Sequence, residues 1–352
     1  MTVSAIQGRG AHGVLAAVGL SLMASVSFAG DFDPASRDDV AALIDQLDER
    51  GVPRDWAEAA MRQADFSQEV LDAMEGAAER RLRWDEYREI FLQRDRILQG
   101  AAFIDAHRDA FERAEVAYGV PPEMIAAIIG VETKYGQFTG RHRVLDSLST
   151  LGFHHPSRHR FFHGELAAFL EIAHDEGVEP GSLYGSYAGA MGYPQFIPTS
   201  YRAYAVDFDG DDIRDLWTNP VDAIGSVGNY FAEHGWRGDE AILSEASGPD
   251  SLPDGIEFNA TRPPYAGLDE LADVGIVPEH DANVPDQVIP LAFDYLRAED
   301  SDEVGYYYRL GHHNFYVITR YNHSHLYAMA VTELAERIAE AYEEGAWSRD
   351  DS

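Results

Sequence analysis

The feature that most constrains this chain is an absence: its 352 residues include no cysteine. The N-terminus makes that absence informative. Arg9 and His12 precede an apolar run from Val14 to Ala29, which closes on Ser27-Phe28-Ala29 before Gly30. A basic start, a short hydrophobic stretch and a small-x-small end describe a secretory signal peptide over residues 1–29. The run is too short for a comfortable membrane span, so the expected product is soluble and periplasmic. Such a protein meets an oxidising compartment with no disulfide framework and no cysteine to carry a lipid anchor. Its fold must therefore be held by a core, with a bound metal as the remaining staple. Hydrophobic residues at 45% supply the core material, and the length suggests two or three domains.

Charge narrows the partners. Asp and Glu number 61 against 27 Lys and Arg, a formal net charge of −34. Phosphate backbones and anionic headgroups would be repelled, which excludes nucleic acid and argues against lipid surfaces. Among the basic residues Lys134 is the one lysine; the others are arginines. An acid-rich, lysine-poor surface suits a protein facing concentrated salt, where screening tames self-repulsion.

Helical periodicity dominates up to His234. Ser36 to Gly51 reads as a capped amphipathic helix, with Ser36 as N-cap and Val40, Leu43, Ile44 and Leu47 on one face. The pattern resumes over Trp56–Ala64, Gln68–Ala77 and the long charged stretch Leu82–Tyr118. Pro121-Pro122 opens another helix running to about Tyr135. Further helices are expected over Arg160–Glu176, Val221–His234 and Leu326–Tyr342. From Ser247 to Asn314 glycine, proline and aspartate separate short runs; Gln287–Phe293 and the following Phe315–Thr319 read as strands. The fold class expected is mainly α (α+β), with a β-rich insertion.

Three segments carry chemistry. In the first, Glu132 follows Ile125, Ile128 and Ile129 by seven, four and three residues, which places it on their apolar helix face. A carboxylate there is costly to ionise, so its pKa rises and it is suited to general-acid work; the rival reading is a helix-end glutamate paired with Arg141 or Arg143. In the second, Ser186 to Tyr201 holds two glycines and two prolines among small and aromatic residues, a tight loop in which Ser186 and Gln195 offer neutral hydrogen bonds.

The third is Asp207-Phe208-Asp209-Gly210-Asp211-Asp212-Ile213. Carboxylates at positions one, three and five, with the Ile213 carbonyl at seven, match the front of an EF-hand loop and favour calcium. Asp212 stands where glycine is expected, and Thr218 where the closing glutamate is expected. Asp222 is the best-placed closing ligand. His155, His159 and His163 are four apart, but Pro156 interrupts them and no H-E-x-x-H pattern follows; they read as polar surface or groove residues.

Taken in order, these segments resemble the membrane-bound lytic murein transglycosylase B family. The matching stretches are Ile128 to Gly136, Ser186 to Tyr201, Asp207 to Trp217, Asp222 to Tyr230 and Tyr321 to Tyr327. The resemblance implies a lysozyme-like helical core over 101–237 with a structural calcium loop. Around it would lie an N-terminal helical region over 30–100, a β-rich region over 238–320, and a groove-lining segment with the C-terminal helix over 321–352. It implies cleavage of the bond between N-acetylmuramic acid and N-acetylglucosamine in peptidoglycan glycan strands, giving 1,6-anhydro ends, with Glu132 the single acid/base. It places Tyr87, Arg158, Ser186, Gln195, Tyr230, Tyr321, Asn322 and Tyr327 along the substrate groove. Where the family often has paired arginines, this chain reads Ser157-Arg158, so one arginine carries over. The rivals are a muramidase in which water attacks, and an inactive calcium-dependent peptidoglycan-binding protein.

Overall fold

The computed structural model describes residues 30–77, 82–280, 283–298 and 303–348; the segment expected to be a signal peptide lies outside them. The fold is organised around the helix Pro122–Thr133, whose Met124 to Gly130 are all buried. Proline at its first turn costs no hydrogen bond, since that N–H would be unpaired in any case. Around it pack the helices Arg94–Ala106, Arg108–Tyr118, Pro220–Glu233 and His325–Glu343. Ile125, Ile128 and Ile129 meet Ile224, Val227, Val331, Leu334 and Ile338 in one continuous core.

A second core lies beside the first. Phe32, Val40, Leu43, Ile44 and Leu47 pack with Leu145, Leu148, Leu151, Leu166, Phe169 and Leu170. The helices Val144–His154 and His159–Asp175, antiparallel neighbours, form its centre. The N-terminal stretch therefore divides: residues up to Val70 belong to this core, whereas Trp84, Ala101, Ile104 and Phe111 face the central helix or its neighbours.

The β-rich part is a five-stranded antiparallel sheet in the order Ala266–Gly267, Gln287–Leu296, Val304–Gly311, Leu243–Ser247, Val277–Pro278. Its spine is the long pair with Ile289 opposite Gly311 and Leu296 opposite Val304. Six consecutive residues from Val288 are buried, because helices cover one face and loops the other. Pro290 is tolerated there because the neighbouring strand pairs only at Val288 and Gln287. Asn259 takes over the free edge: its main-chain N–H donates to Pro290 O and its side chain brackets Ala292.

The mainly α expectation holds, with local corrections. Ser36 does not cap the first helix, which runs Asp38–Glu49; its hydroxyl donates to Asp33 O. Leu82–Tyr118 divides into three helices, with breaks after Phe91 and Ala106. Phe315–Thr319 is not a strand but part of the helix His313–Tyr321. Its β-branched composition suits a strand, but Phe315, Val317 and Ile318 bury against the core helices, and tertiary packing overrides the propensity. Among the described residues no single helix is long and apolar enough to cross a membrane.

Candidate active site

Glu132 sits in the last turn of the central helix, and the chain turns sharply after it. Lys134, Tyr135 and Gly136 all have positive φ, at 49°, 59° and 83°, and the N–H groups of Lys134 and Tyr135 close back on Gly130 and Ile129. Two glycines of the motif have steric reasons. A side chain at Gly130 would collide with the Tyr135 ring, and one at Gly136 with the ring of Tyr193. Thr133, buried beside Glu132, donates from Oγ1 to the Tyr193 carbonyl at 2.9 Å and accepts from Gly136 N at 3.0 Å. That hydroxyl ties the helix end to the Ser186–Tyr201 loop. Sequence reasoning passed over Thr133 and Tyr193; their position inside the two motifs was the available signal.

The Glu132 carboxyl is partly accessible but walled by aromatic rings. Tyr327 Oη donates to its Oε1 at 2.6 Å. Burial pushes the carboxyl up to about 7, against the lowering effect of that hydrogen bond. No other charged group among the described residues acts on it. The rival pairing with Arg141 or Arg143 is absent: Arg141 binds Glu69, and Arg143 binds Asp65 and Asp146. Lys134 turns away to Asp95 at 2.6 Å.

The tyrosines are arranged in depth. Tyr321 stacks on Tyr327, with centroids 6.3 Å apart and planes 11° apart, and donates to Pro194 O at 2.6 Å. Burial, then the Glu132 charge, raises both phenols well above their ordinary range, so they remain protonated donors. Tyr87 lies near enough for the Glu132 charge to add to burial in raising its phenol to about 12. Tyr230 lies behind Tyr321 at 4.7 Å, buried, with its hydroxyl donated to Arg320 O at 2.7 Å. Its place is behind Tyr321, which it supports.

The flanking loop holds the other expected residues. Ser186 Oγ accepts from Ala188 N and Ala190 N, which leaves its proton to donate. Gln195, at φ 50°, donates through Nε2 to Thr139 O and Gly192 O, leaving its carbonyl oxygen as acceptor. Asn322 is exposed at the end of the helix His313–Tyr321. Arg158 is exposed in the turn before the helix His159–Asp175, its guanidinium over Phe161 and Phe162 at 4.8 and 5.1 Å. The histidine trio is not among the groups of converging ligand atoms found in the described residues: His155 accepts from the Ser157 and Arg158 N–H groups, and His163 packs on Phe153.

The acidic loop brings Asp207, Asp209 and Asp211 together, one oxygen of each within 4.8 Å of the others. Desolvation is the largest single effect on Asp207 and raises its pKa, but the main-chain N–H groups of Gly210, Asp211 and Asp212 that hold it, with a contact to Asp209, together outweigh that and lower it. Asp212 adopts φ 69°, the conformation glycine supplies in the usual loop and one that aspartate tolerates. Asp222 stands outside the trio. Wholly buried, it accepts from Phe208 N at 2.7 Å and Asp215 N at 2.9 Å, clamping both ends of the loop to the helix Pro220–Glu233. Burial raises its pKa, and the fields of Asp209 and Asp207 add to that. Three converging carboxylates with no basic partner among the described residues form a hard-oxygen donor set that a divalent cation would neutralise.

Residues 35–336 match the family model described as the transglycosylase SLT domain. The chain is 41% identical over 322 residues to the membrane-bound lytic murein transglycosylase B of Escherichia coli strain K12, covering 88% of this chain and 84% of that protein. Solved structures align over most of their length. The E. coli lytic transglycosylase SLT35 in complex with calcium matches with TM-score 0.79 and 41% identity, covering 89% of this chain and 96% of that one. The soluble lytic transglycosylase SltB1 of Pseudomonas aeruginosa gives 0.78 and 43%, covering 87% and 99%. SltB3 of P. aeruginosa, in complex with NAG-anhNAM-pentapeptide, gives 0.70 and 31%, covering 88% and 80%.

Proposed function

This chain belongs to the transglycosylase SLT domain family, and from that premise we propose that it is a periplasmic lytic transglycosylase. The bond cleaved is that between N-acetylmuramic acid and N-acetylglucosamine in peptidoglycan, and Glu132 is the one acid/base. The observation that carries the reading is the setting of Glu132: raised to about 7 by burial and held by one phenol.

Protonated Glu132 gives its proton to the glycosidic oxygen as the C–O bond breaks. Glycosidases that use a second carboxylate keep it about 5–9.5 Å from the first. The proposed reaction uses no second carboxylate, so stabilisation of the oxocarbenium-like centre falls to the substrate's own acetamido group. The Glu132 carboxylate then takes the proton of the C6 hydroxyl, whose oxygen closes the 1,6-anhydro ring; no water is consumed. Tyr327 keeps Oε1 occupied, so the proton travels on the other oxygen. Tyr321, Tyr87, Ser186 and Gln195 orient the sugars by stacking and hydrogen bonds. Arg158 and Asn322, exposed at the margins, meet more distant parts of the strand.

The Asp207, Asp209 and Asp211 carboxylates and the Ile213 carbonyl would hold calcium, as the family's SLT35 does in its calcium complex. The ion would stabilise the loop while Asp222 braces it from behind. Digestion of purified peptidoglycan, with mass analysis of the fragments, tests the reaction. Anhydro-muramic ends are expected, and reducing muramic ends would establish hydrolysis instead. Full lysis by a Glu132→Gln variant would remove Glu132 from the mechanism, and binding without release of fragments by the wild type would leave a scaffold.

A further inference from the structure

A cleft of about 850 Å³ opens where the sheet meets the helix His313–Tyr321, and no residue lining it belongs to the Glu132 site. Its lining includes Ser244 from the strand Leu243–Ser247, and His312 and His313 where the strand Val304–Gly311 passes into that helix.

The sheet register brings a serine and a histidine together here. Leu243 pairs with Gly311 and Ser244 with Leu310, and His312 N donates to Ile242 O. Residues 244 and 312 are therefore diagonal neighbours on one face, because alternate residues of a strand point the same way. Ser244 Oγ lies 2.9 Å from His312 Nε2. The imidazole is buried, 3% exposed, and it also bonds the Ala241 main chain. Burial, opposed by that bond and by the Glu240 charge, lowers its pKa, so the ring is neutral at pH 7. With Nδ1–H given to the Ala241 carbonyl, Nε2 accepts the Ser244 proton.

A serine bonded to an imidazole that a third group orients is the arrangement that activates a hydroxyl as nucleophile. His312 is also the N-cap residue of the helix His313–Tyr321, yet no side chain caps that helix, since this ring is turned to Ser244. The N–H groups of its first turn leave partial positive charge beside the pair, where a developing oxyanion needs it. The Gln287 amide, on the lining and without a hydrogen-bond partner among the described residues, is a further donor. Charge selects against an anionic ligand. Asp239, Glu240 and Asp286 line the cleft, and Arg237 is held by Glu240 at 2.9 and 3.1 Å. The volume falls within the roughly 300–1,000 Å³ usual for small-ligand sites.

We infer that Ser244 and His312 are a nucleophile–base pair for acyl transfer, acting in this cleft on an uncharged carboxylic ester. Ser244 Oγ bonds to the ester carbonyl carbon as its proton passes to His312 Nε2. When the tetrahedral centre collapses, the bond to the alcohol oxygen breaks and Nε2 returns the proton to that oxygen. Water then attacks the acyl-serine, its proton passing through the same nitrogen, which releases the carboxylic acid and restores Ser244. This activity is separate from the glycosidic reaction and does not depend on it.

The test is hydrolysis of p-nitrophenyl acetate by the full chain. The wild type should turn it over above the buffer rate, and Ser244→Ala and His312→Gln should each lower kcat/KM about a hundredfold. Glutamine keeps a hydrogen-bonding partner for Ser244 but takes no proton from it, so a loss at unchanged melting temperature supports the chemistry over a structural role. A fluorophosphonate probe should attach to Ser244 of the wild type, read by mass analysis of its peptides, a result that needs no variant to fold. Equal kcat/KM in the wild type and Ser244→Ala, or no label on Ser244, overturns the proposal.

Discussion

Replacing Glu132 by glutamine should stabilise the protein, and only above a definite pH. In the native state the carboxyl stands at about 7, against 4.5 for an ordinary glutamate. Below pH 4.5 it is protonated in both folded and unfolded chains and costs nothing. Between 4.5 and about 7 the folded chain holds a proton that the unfolded chain has released, so stability falls as pH rises. Above pH 7 the full cost is present: at about 1.4 kcal/mol per pKa unit, roughly 3 kcal/mol. Glutamine is neutral throughout and keeps an acceptor for Tyr327. The difference in stability between Glu132→Gln and wild type should therefore be near zero at pH 4 and level off above pH 7. In thermal denaturation at matched pH values, that corresponds to a gain in melting temperature on the order of 5 °C at pH 8. The paired comparison cancels the titration of the other acids. A difference flat from pH 4 to 9, or one complete by pH 5, would refute the claim that burial dominates the Glu132 environment.

Other outcomes follow from the same contacts. The alkaline limb of kcat/KM should have its midpoint near pH 7, where the acid loses its proton. Tyr327→Phe removes the one interaction that lowers this pKa, so the limb should move to higher pH, while kcat falls on the order of tenfold. A limb that moves to lower pH would contradict the hydrogen bond. EDTA should lower the melting temperature, and calcium at about 100 times its Kd should restore roughly 2.7 kcal/mol; an unchanged melting curve without bound calcium would refute the loop assignment. Asp222→Ala leaves the Phe208 and Asp215 N–H groups without their buried acceptor and should cost about 3 kcal/mol. Asp222→Asn keeps one acceptor oxygen and should cost less in the same denaturation experiment.

The sequence alone was enough for whatever depends on local spacing. Helical periodicity located the central helix, and the i+3, i+4 and i+7 relations put Glu132 on its apolar face because side-chain direction along a helix is set by backbone geometry. The Asp-x-Asp-x-Asp order likewise brought three carboxylates together, since the turn itself gathers alternate residues. Order of motifs was also legible, and with it the family. Where local preference and packing disagree, the sequence misled: Phe315–Thr319 has strand composition yet lies in a helix that the core requires.

What only the tertiary structure decided is which groups are free. Tyr230 and Tyr321 look alike in a motif, yet one has its hydroxyl donated to Arg320 O and the other stacks on the Tyr327 that holds Glu132. Asp222 read as a ligand, but its two oxygens hold main-chain N–H groups. The partnership of Tyr327 with Glu132 spans 195 residues, and that of Ser244 with His312 spans 68. The missing cysteines called for a core, and two large helical cores with a smaller one in the sheet answer that need. Burial sets the pKa of Glu132, and burial is a property of the assembled layers rather than of any segment.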